Sequence, residues 1–142
     1  MSSSGIRAER DLVHKFWDAG FAVLRSPASG GGTTLPRPDL IAGSVARGKF
    51  LVLEIKTVRK DTLYINEEQI SGLIEFAKRI GFVPYIGVKF KNRRKGFQFL
   101  KVPDHLETVK NGKNYKITFA LASSKGLSFG ELIGDFLQEK LV

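Results

Sequence analysis

The sequence predicts an α/β fold in which a mixed central β-sheet is flanked by helices. Three observations lead there. Two stretches, about Ser4 to Ala19 and Asn66 to Ile80, carry apolar residues at helical spacing between capping residues. Short runs rich in Val, Ile, Leu and Phe lie between and after them, bounded by glycine turns. One of these runs, Lys49 to Val58, begins apolar on both of its faces, as a strand covered on both sides does.

The first helix opens on a serine cap and stops at Gly20, with Ile6, Leu12, Val13, Phe16 and Trp17 as its apolar stripe. Phe21 to Arg25 reads as a strand, and residues 28–38 (ASGGGTTLPRP) as a loop. Asp39 to Ala42 is a second strand and Lys49 to Val58 a third. The turn from Gly43 to Gly48 makes those two an antiparallel hairpin. Asn66 and Gln69 form a capping-box pattern for the second helix, whose stripe is Ile70, Leu73, Ile74 and Ala77 and whose stop is Gly81. Val83 to Lys91 and Phe97 to Val102 are strands joined by the basic turn Asn92-Arg-Arg-Lys-Gly96. A last strand is expected near Tyr115 to Leu121, and Ser128 with Glu131 caps a closing helix.

At 142 residues the chain suits one domain, residues 1–142, and falls short of two. No apolar run approaches the roughly 20 residues of a membrane span, and the start lacks the apolar core of a secretory signal, so an intracellular protein is expected. With no cysteine, disulfides and thiolate zinc sites are excluded. His14 and His105 are the only imidazoles, so a metal site would be built from oxygens and would suit Mg²⁺, with Mn²⁺ as a substitute. Lys and Arg number 23 against 14 Asp and Glu, a formal net charge of +9. A polyanionic partner is one use of that excess and solubility alone is the other.

Four residues sit out of place in their own elements. Alternation puts Leu51, Leu53 and Ile55 on one face of the third strand and Phe50, Val52, Glu54 and Lys56 on the other. Glu54 and Lys56 thus end an otherwise apolar face, where an unpaired ionisable group costs several kcal/mol. A hairpin centred between positions 39 and 54 places Asp39 opposite Glu54. Like charges across a strand pair repel, and a divalent cation between them removes the conflict. Pro-Arg-Pro before Asp39 stiffens its approach. Glu9 falls on the apolar side of the first helix. Each has a bland alternative: an edge Glu-Lys pair, an Asp that starts a turn, a boundary Glu that snorkels out.

Together they fit phosphodiester hydrolysis. Asp39 and Glu54 are the candidate metal ligands, with the Ile55 carbonyl a further one. Lys56 would orient the attacking water or stabilise phosphate charge, and Glu9 would reach the metal through water or hold a second ion. Gln69 would orient Lys56 or the water, or else only complete its capping box. Asp39-x14-Glu54-x-Lys56 is the signature of restriction-endonuclease-like nucleases, degenerate when taken alone.

The whole chain resembles the archaeal Holliday junction resolvases. The likeness rests on Gly5-Ile-Arg-Ala-Glu9-Arg10, Gly20-Phe-Ala-Val-Leu-Arg25-Ser-Pro-Ala-Ser29-Gly, Pro38-Asp39, Leu53-Glu54-Ile-Lys56 and Glu68-Gln69-Ile-Ser-Gly-Leu-Ile-Glu-Phe76-Ala. It is close over the first two-thirds of the chain and looser beyond. The resemblance implies a restriction-endonuclease-like fold, a single nuclease domain, Mg²⁺, and a two-fold homodimer that nicks opposed strands of a four-way DNA junction in recombination and repair. It implies Glu9, Asp39 and Glu54 as the acidic set and Lys56 as the catalytic lysine. It implies Arg10 and Arg25 as phosphate contacts, Ser29 as the serine of a loop that approaches the scissile region, and Phe76 at the dimer contact. The three glycines Gly30 to Gly32 depart from that pattern and put the loop's grip on DNA in doubt.

Arg7, Arg10, Arg25, Arg59 and Lys60 are expected around the site, and Lys89, Lys91, Arg93, Arg94 and Lys95 beyond it, the last three equally at home in a solvated turn. No helix carries the Arg, Asn or Gln array of a base code, so recognition of junction shape is expected. Rival readings are another nuclease of the same fold (a nickase or repair endonuclease), a non-catalytic DNA-architectural protein, and a plain interaction domain.

Overall fold

A computed structural model describes residues 3–27, 35–109 and 112–134 of the chain. The elements run α1 (Ser3–Asp18), β1 (Ala22–Arg25), β2 (Leu40–Ser44), β3 (Lys49–Val58), β4 (Thr62–Asn66), α2 (Glu67–Ile80), β5 (Val83–Phe90), β6 (Gln98–Lys101), β7 (Glu107–Thr108), β8 (Asn114–Thr118), α3 (Phe119–Lys125) and α4 (Phe129–Ile133). Ser29 and most of the glycine-rich loop lie outside the described residues.

The main sheet has the order β1-β2-β3-β5-β6. β1, β2 and β3 are successive antiparallel neighbours, β3 and β5 run parallel, and β6 returns antiparallel. It is therefore the mixed sheet that the sequence predicts. The 14-residue helix α2 lies on the crossover between the two parallel strands. β3, with neighbours on both sides, is the strand whose alternation shows two apolar faces. Leu51, Leu53 and Ile55 pack with Leu12 and Phe16 of α1 and with Leu132 of α4. Val52 packs with Ile70, Leu73 and Ala77 of α2 on the other side. Gly87 on β5 permits the close layer between strands, since a Cβ there would lie 2.8 Å from the Phe99 ring.

The C-terminal stop of α2 is as the sequence reads it, and of the expected capping box at its start the Asn66 half is seen. Asn66 accepts a hydrogen bond from the Gln69 backbone N–H at 2.8 Å, and Gly81 closes the helix at φ 79°. The full capping box forms at Ser128 and Glu131. Trp17 departs from expectation: counted into the buried stripe of α1, it is 66% exposed. Phe99 is fully buried in the core. The predicted strand from Tyr115 to Leu121 stops at Thr118, whose side chain accepts from Leu121 N–H at 3.0 Å and starts α3. β4 has no counterpart in the sequence reading. It pairs with β8, about fifty residues further along, in a second sheet of order β4-β8-β7. No helix among the described residues is long and apolar enough to cross a membrane.

Candidate active site

The hairpin register fixes the centre of the site. Leu40 pairs with Leu53, so Asp39, one residue before β2, meets the chain at Glu54. Asp39 is held from both ends. Its Oδ2 accepts from the Ile55 N–H at 2.8 Å, and its backbone carbonyl accepts from Ser26 N–H at 2.9 Å. Ser26 Oγ also donates to the Pro38 carbonyl at 2.6 Å, which pins the end of the Pro-Arg-Pro segment to the end of β1. Lys56 Nζ stands 4.0 Å from Glu54 Oε2 on the same strand face.

Glu9 joins this group from α1. It is only 2% exposed, and Arg25 Nε donates to its Oε1 at 3.0 Å. That ion pair is the physical reason a carboxylate is tolerated on the apolar side of α1. The sequence reading brought Glu9 and Arg25 to one region without pairing them. Arg25 is thereby a partner of Glu9 before it is a contact for DNA.

Asp39 and Glu54 form the wall between two hollows. One, of about 240 Å³, is lined by Gly5, Glu9, Asp39, Glu54, Ile55, Lys56 and Thr57. The other, of about 280 Å³, includes Pro36, Arg37, Pro38, Glu68, Gln69, Gly72 and Leu73 with the same two carboxylates. Gln69 thus faces the carboxylates from the side of α2, whereas Lys56 lines the opposite hollow. Arg37 and Glu68 were given no role from the sequence; Arg37 had only the stiff Pro-Arg-Pro segment as a signal, and Glu68 its place at the head of the Glu68-Gln69 motif. Thr57 was also missed, because alternation assigns it to the Ile55 face.

The electrostatics are those of a site short of positive charge. Burial, and then the neighbouring Asp39, push Glu54 up from an ordinary 4.5 to about 7. Burial, and then Asp39, also raise Glu9, against the opposing hydrogen bond from Arg25. Asp39 is raised by burial, against the Ile55 N–H. Arg25 and Lys56 oppose these shifts, and Arg37 lines the second hollow.

Among the described residues, no three acidic or imidazole groups close a metal cage by themselves. The donors that fit a hard cation are Asp39 and Glu54, each with carboxylate oxygen to offer, and Ile55, whose backbone carbonyl is the further candidate, lines the same hollow. The excess negative charge is what such a cation would neutralise. His105 is not available to it, because its Nδ1 accepts from the Lys101 N–H at 3.1 Å.

The other expected residues are dispersed. Arg7 and Arg10 are exposed on α1 and line a shallow hollow with His14. Arg59 and Lys60 are exposed just past β3. Phe76 is half-buried and packs against the α2 side of the core. Arg93 is engaged within the fold: it bonds Asp61 at 2.7 Å and its guanidinium lies 4.5 Å over the Phe119 ring.

A mixed sheet whose central hairpin brings Asp39, Glu54 and Lys56 together is the architecture of a restriction-endonuclease-like nuclease. The sequence pattern of one family, archaeal Holliday junction resolvase (Hjc), matches residues 1–141. The chain is 34% identical over 140 residues to the crossover junction endodeoxyribonuclease Hjc of Archaeoglobus fulgidus, covering 99% of this chain and 96% of that protein. It is 38% identical over 137 residues to the Hjc of Methanocaldococcus jannaschii, covering 96% and 92%. The solved structure of Archaeoglobus fulgidus Hjc, a Holliday junction resolvase, superposes with a TM-score of 0.78 at 32% identity, over 93% of this chain and 97% of that one. The chain belongs to the archaeal Holliday junction resolvase family.

Proposed function

We propose that this chain is one nuclease domain that resolves four-way DNA junctions by Mg²⁺-dependent paired nicking, working on DNA inside the cell as a two-fold homodimer. The observation that carries the chemistry is the half-buried Asp39–Glu54 pair with Lys56 beside it in the lining of one hollow. Family membership supplies the junction as substrate. The described chain carries one such hairpin site, and two nicks in symmetry-related strands call for two sites, which a C₂ dimer provides. Phe76, on α2, is the residue proposed to lie near that dimer contact.

Asp39, Glu54 and the Ile55 carbonyl would hold the cation, with Glu9 reaching it from the flank. When bound, the ion supplies Lewis-acid stabilisation of the phosphate and makes water a stronger nucleophile. The chain's own groups do the rest. Lys56 places a fixed positive charge where the phosphate gains charge. Asp39, held by two hydrogen bonds, keeps its free oxygen in one position without reorganisation. Gln69 approaches from the α2 side, where it can orient a water at the carboxylates. Arg7, Arg10, Arg59 and Lys60 receive the phosphodiester backbone around the site, and Ser29 belongs to the same contact by family likeness.

Incubation with Mg²⁺ and either a synthetic four-way junction or a linear duplex of the same sequence tests this. Symmetric nicks near the branch of the junction, with the duplex intact, are expected. Equal cutting of the duplex would replace resolution with general nicking.

A further inference from the structure

We propose that the outer face of α1 is a junction-selective contact in which Arg7, Arg10 and His14 hold one DNA strand and Trp17 stacks on the open face of a base at the branch point. This rests on the junction reading above and adds a source of shape selectivity to it.

At 100° per residue, Arg7, Arg10, His14 and Trp17 fall within an arc of about 80° on α1. Arg7, Arg10 and His14 are exposed and line one open hollow of about 460 Å³. Trp17, the only tryptophan in the chain, stands one turn further on. Its indole is 66% exposed at the end of a helix whose core residues Leu12 and Phe16 are at most 2% exposed. Nothing in the core needs it there.

The charge around it is one-sided. Asp11 and Asp18 lie roughly 100° or more around the helix from Trp17, while its own flank carries Ile6, Arg10 and Val13. Asp11 also lines the hollow, on its Arg7 side, so a polyanion that passes from Arg10 to Trp17 meets arginine and then an aromatic face with no carboxylate between those two. That combination of a basic track and an aromatic platform is how single-stranded nucleic acid is held.

The position is right for a branch. Trp17 is eight residues from Glu9, about 12 Å along the helix axis. That is three to four base-pair steps at 3.4 Å per step along a strand. In a continuous duplex every base face is covered by its neighbours, and exposing one costs a few kcal/mol. A four-way branch interrupts stacking without that cost. Trp17 would therefore favour the junction over the duplex through an open base face, whatever the sequence of the arms.

The sole tryptophan is its own reporter. Wild-type protein in EDTA, which prevents cutting, is titrated with a labelled four-way junction and with a duplex of the same sequence. DNA anisotropy reports binding while tryptophan emission is followed. Emission should be quenched on binding the junction and changed little on binding the duplex. Trp17→Ala should weaken junction binding at least about 5-fold, the lower bound for one stacked base, and duplex binding less than 2-fold. Trp17→Phe should recover most of the loss, and circular dichroism should show both variants folded. Junction binding with unchanged emission overturns the proposal, as does equal loss on junction and duplex. Emission that changes on diluting the protein without DNA would assign the face to contact between copies and overturn it too. No junction binding at all would instead remove the functional reading on which the proposal rests.

Discussion

Replacing Glu54 with Gln should make the metal-free protein more stable while abolishing cleavage. The Glu54 carboxyl is raised from 4.5 to about 7 in the folded chain, first by burial and then by Asp39. Its side chain is 18% exposed, so solvent screening removes little of the effect. A folded-state pKa above the unfolded one means that the native state favours the protonated acid. That stabilising contribution is complete below pH 4.5 and is lost as pH rises through about 7. With each pH unit worth about 1.4 kcal/mol, the ionised Glu54 costs about 3 kcal/mol at pH 8. Glutamine removes the charge at equal size, at the expense of the Lys56 pair. The variant should therefore gain up to about 3 kcal/mol at pH 8, or roughly 10 °C in Tm for a chain of this length. The advantage should shrink toward zero at pH 4.5. Thermal unfolding of both proteins in EDTA across this range measures the difference. Glu9 and Asp39 both oppose the Glu54 charge, so in the variant they ionise more easily, which adds to its advantage at high pH. Mg²⁺ should stabilise wild type more at pH 8 than at pH 5, since binding favours the ionised ligand, and should stabilise the variant less. A Gln variant that melts below wild type at pH 8 without metal would refute the reasoning.

Other expectations can be tested on the same footing. Asp39→Ala should lower the cleavage rate by at least about 10²-fold and leave junction affinity within a few-fold, as measured by single-turnover kinetics and gel shift. Arg10→Ala should flatten the log-log salt dependence of binding by about 0.9, one phosphate's contribution in duplex DNA. Arg25→Ala should flatten it less, because Glu9 already engages that charge at 3.0 Å. Dimers mixed from wild-type and Asp39→Ala subunits should nick one strand and leave the junction unresolved, whereas a monomer that makes paired cuts would overturn the dimer.

The hairpin at the centre of the site was legible because local rules set it. The glycine turn joins two adjacent strands, and two-residue alternation decides which side chains share a face. Asp39 therefore met Glu54 by arithmetic, and Lys56 followed on the same face. The helix ends at Asn66, Gly81 and Ser128 were legible for the same reason. What escaped was non-local. β4 exists because β8 pairs with it from far along the chain, and nothing in Thr62–Asn66 announces that partner. The Glu9–Arg25 bond spans α1 and β1, so neither residue's neighbours imply it. Trp17 shows the limit of periodicity itself. It satisfies the helical count yet sits at the edge of the apolar arc, where geometry leaves the ring in solvent.

The residues that fit their elements poorly divide into two kinds. Glu9, Asp39 and Glu54 are charges placed where burial penalises them, and each is raised in pKa as a result. Arg25, Lys56 and the Ile55 N–H offset part of that penalty, and the fold tolerates the remainder. A site selected for stability alone would have put an apolar side chain at position 54, as it has at Val52 on the same strand face. Trp17 is the opposite case, an apolar surface left in water at the end of a basic stripe. The first kind suits a positive ligand. The second suits a ligand that is flat and attached to phosphate. A cation held among the carboxylates and a DNA strand laid along α1 would complete both, and only the strand accounts for an arginine flank that ends in an indole.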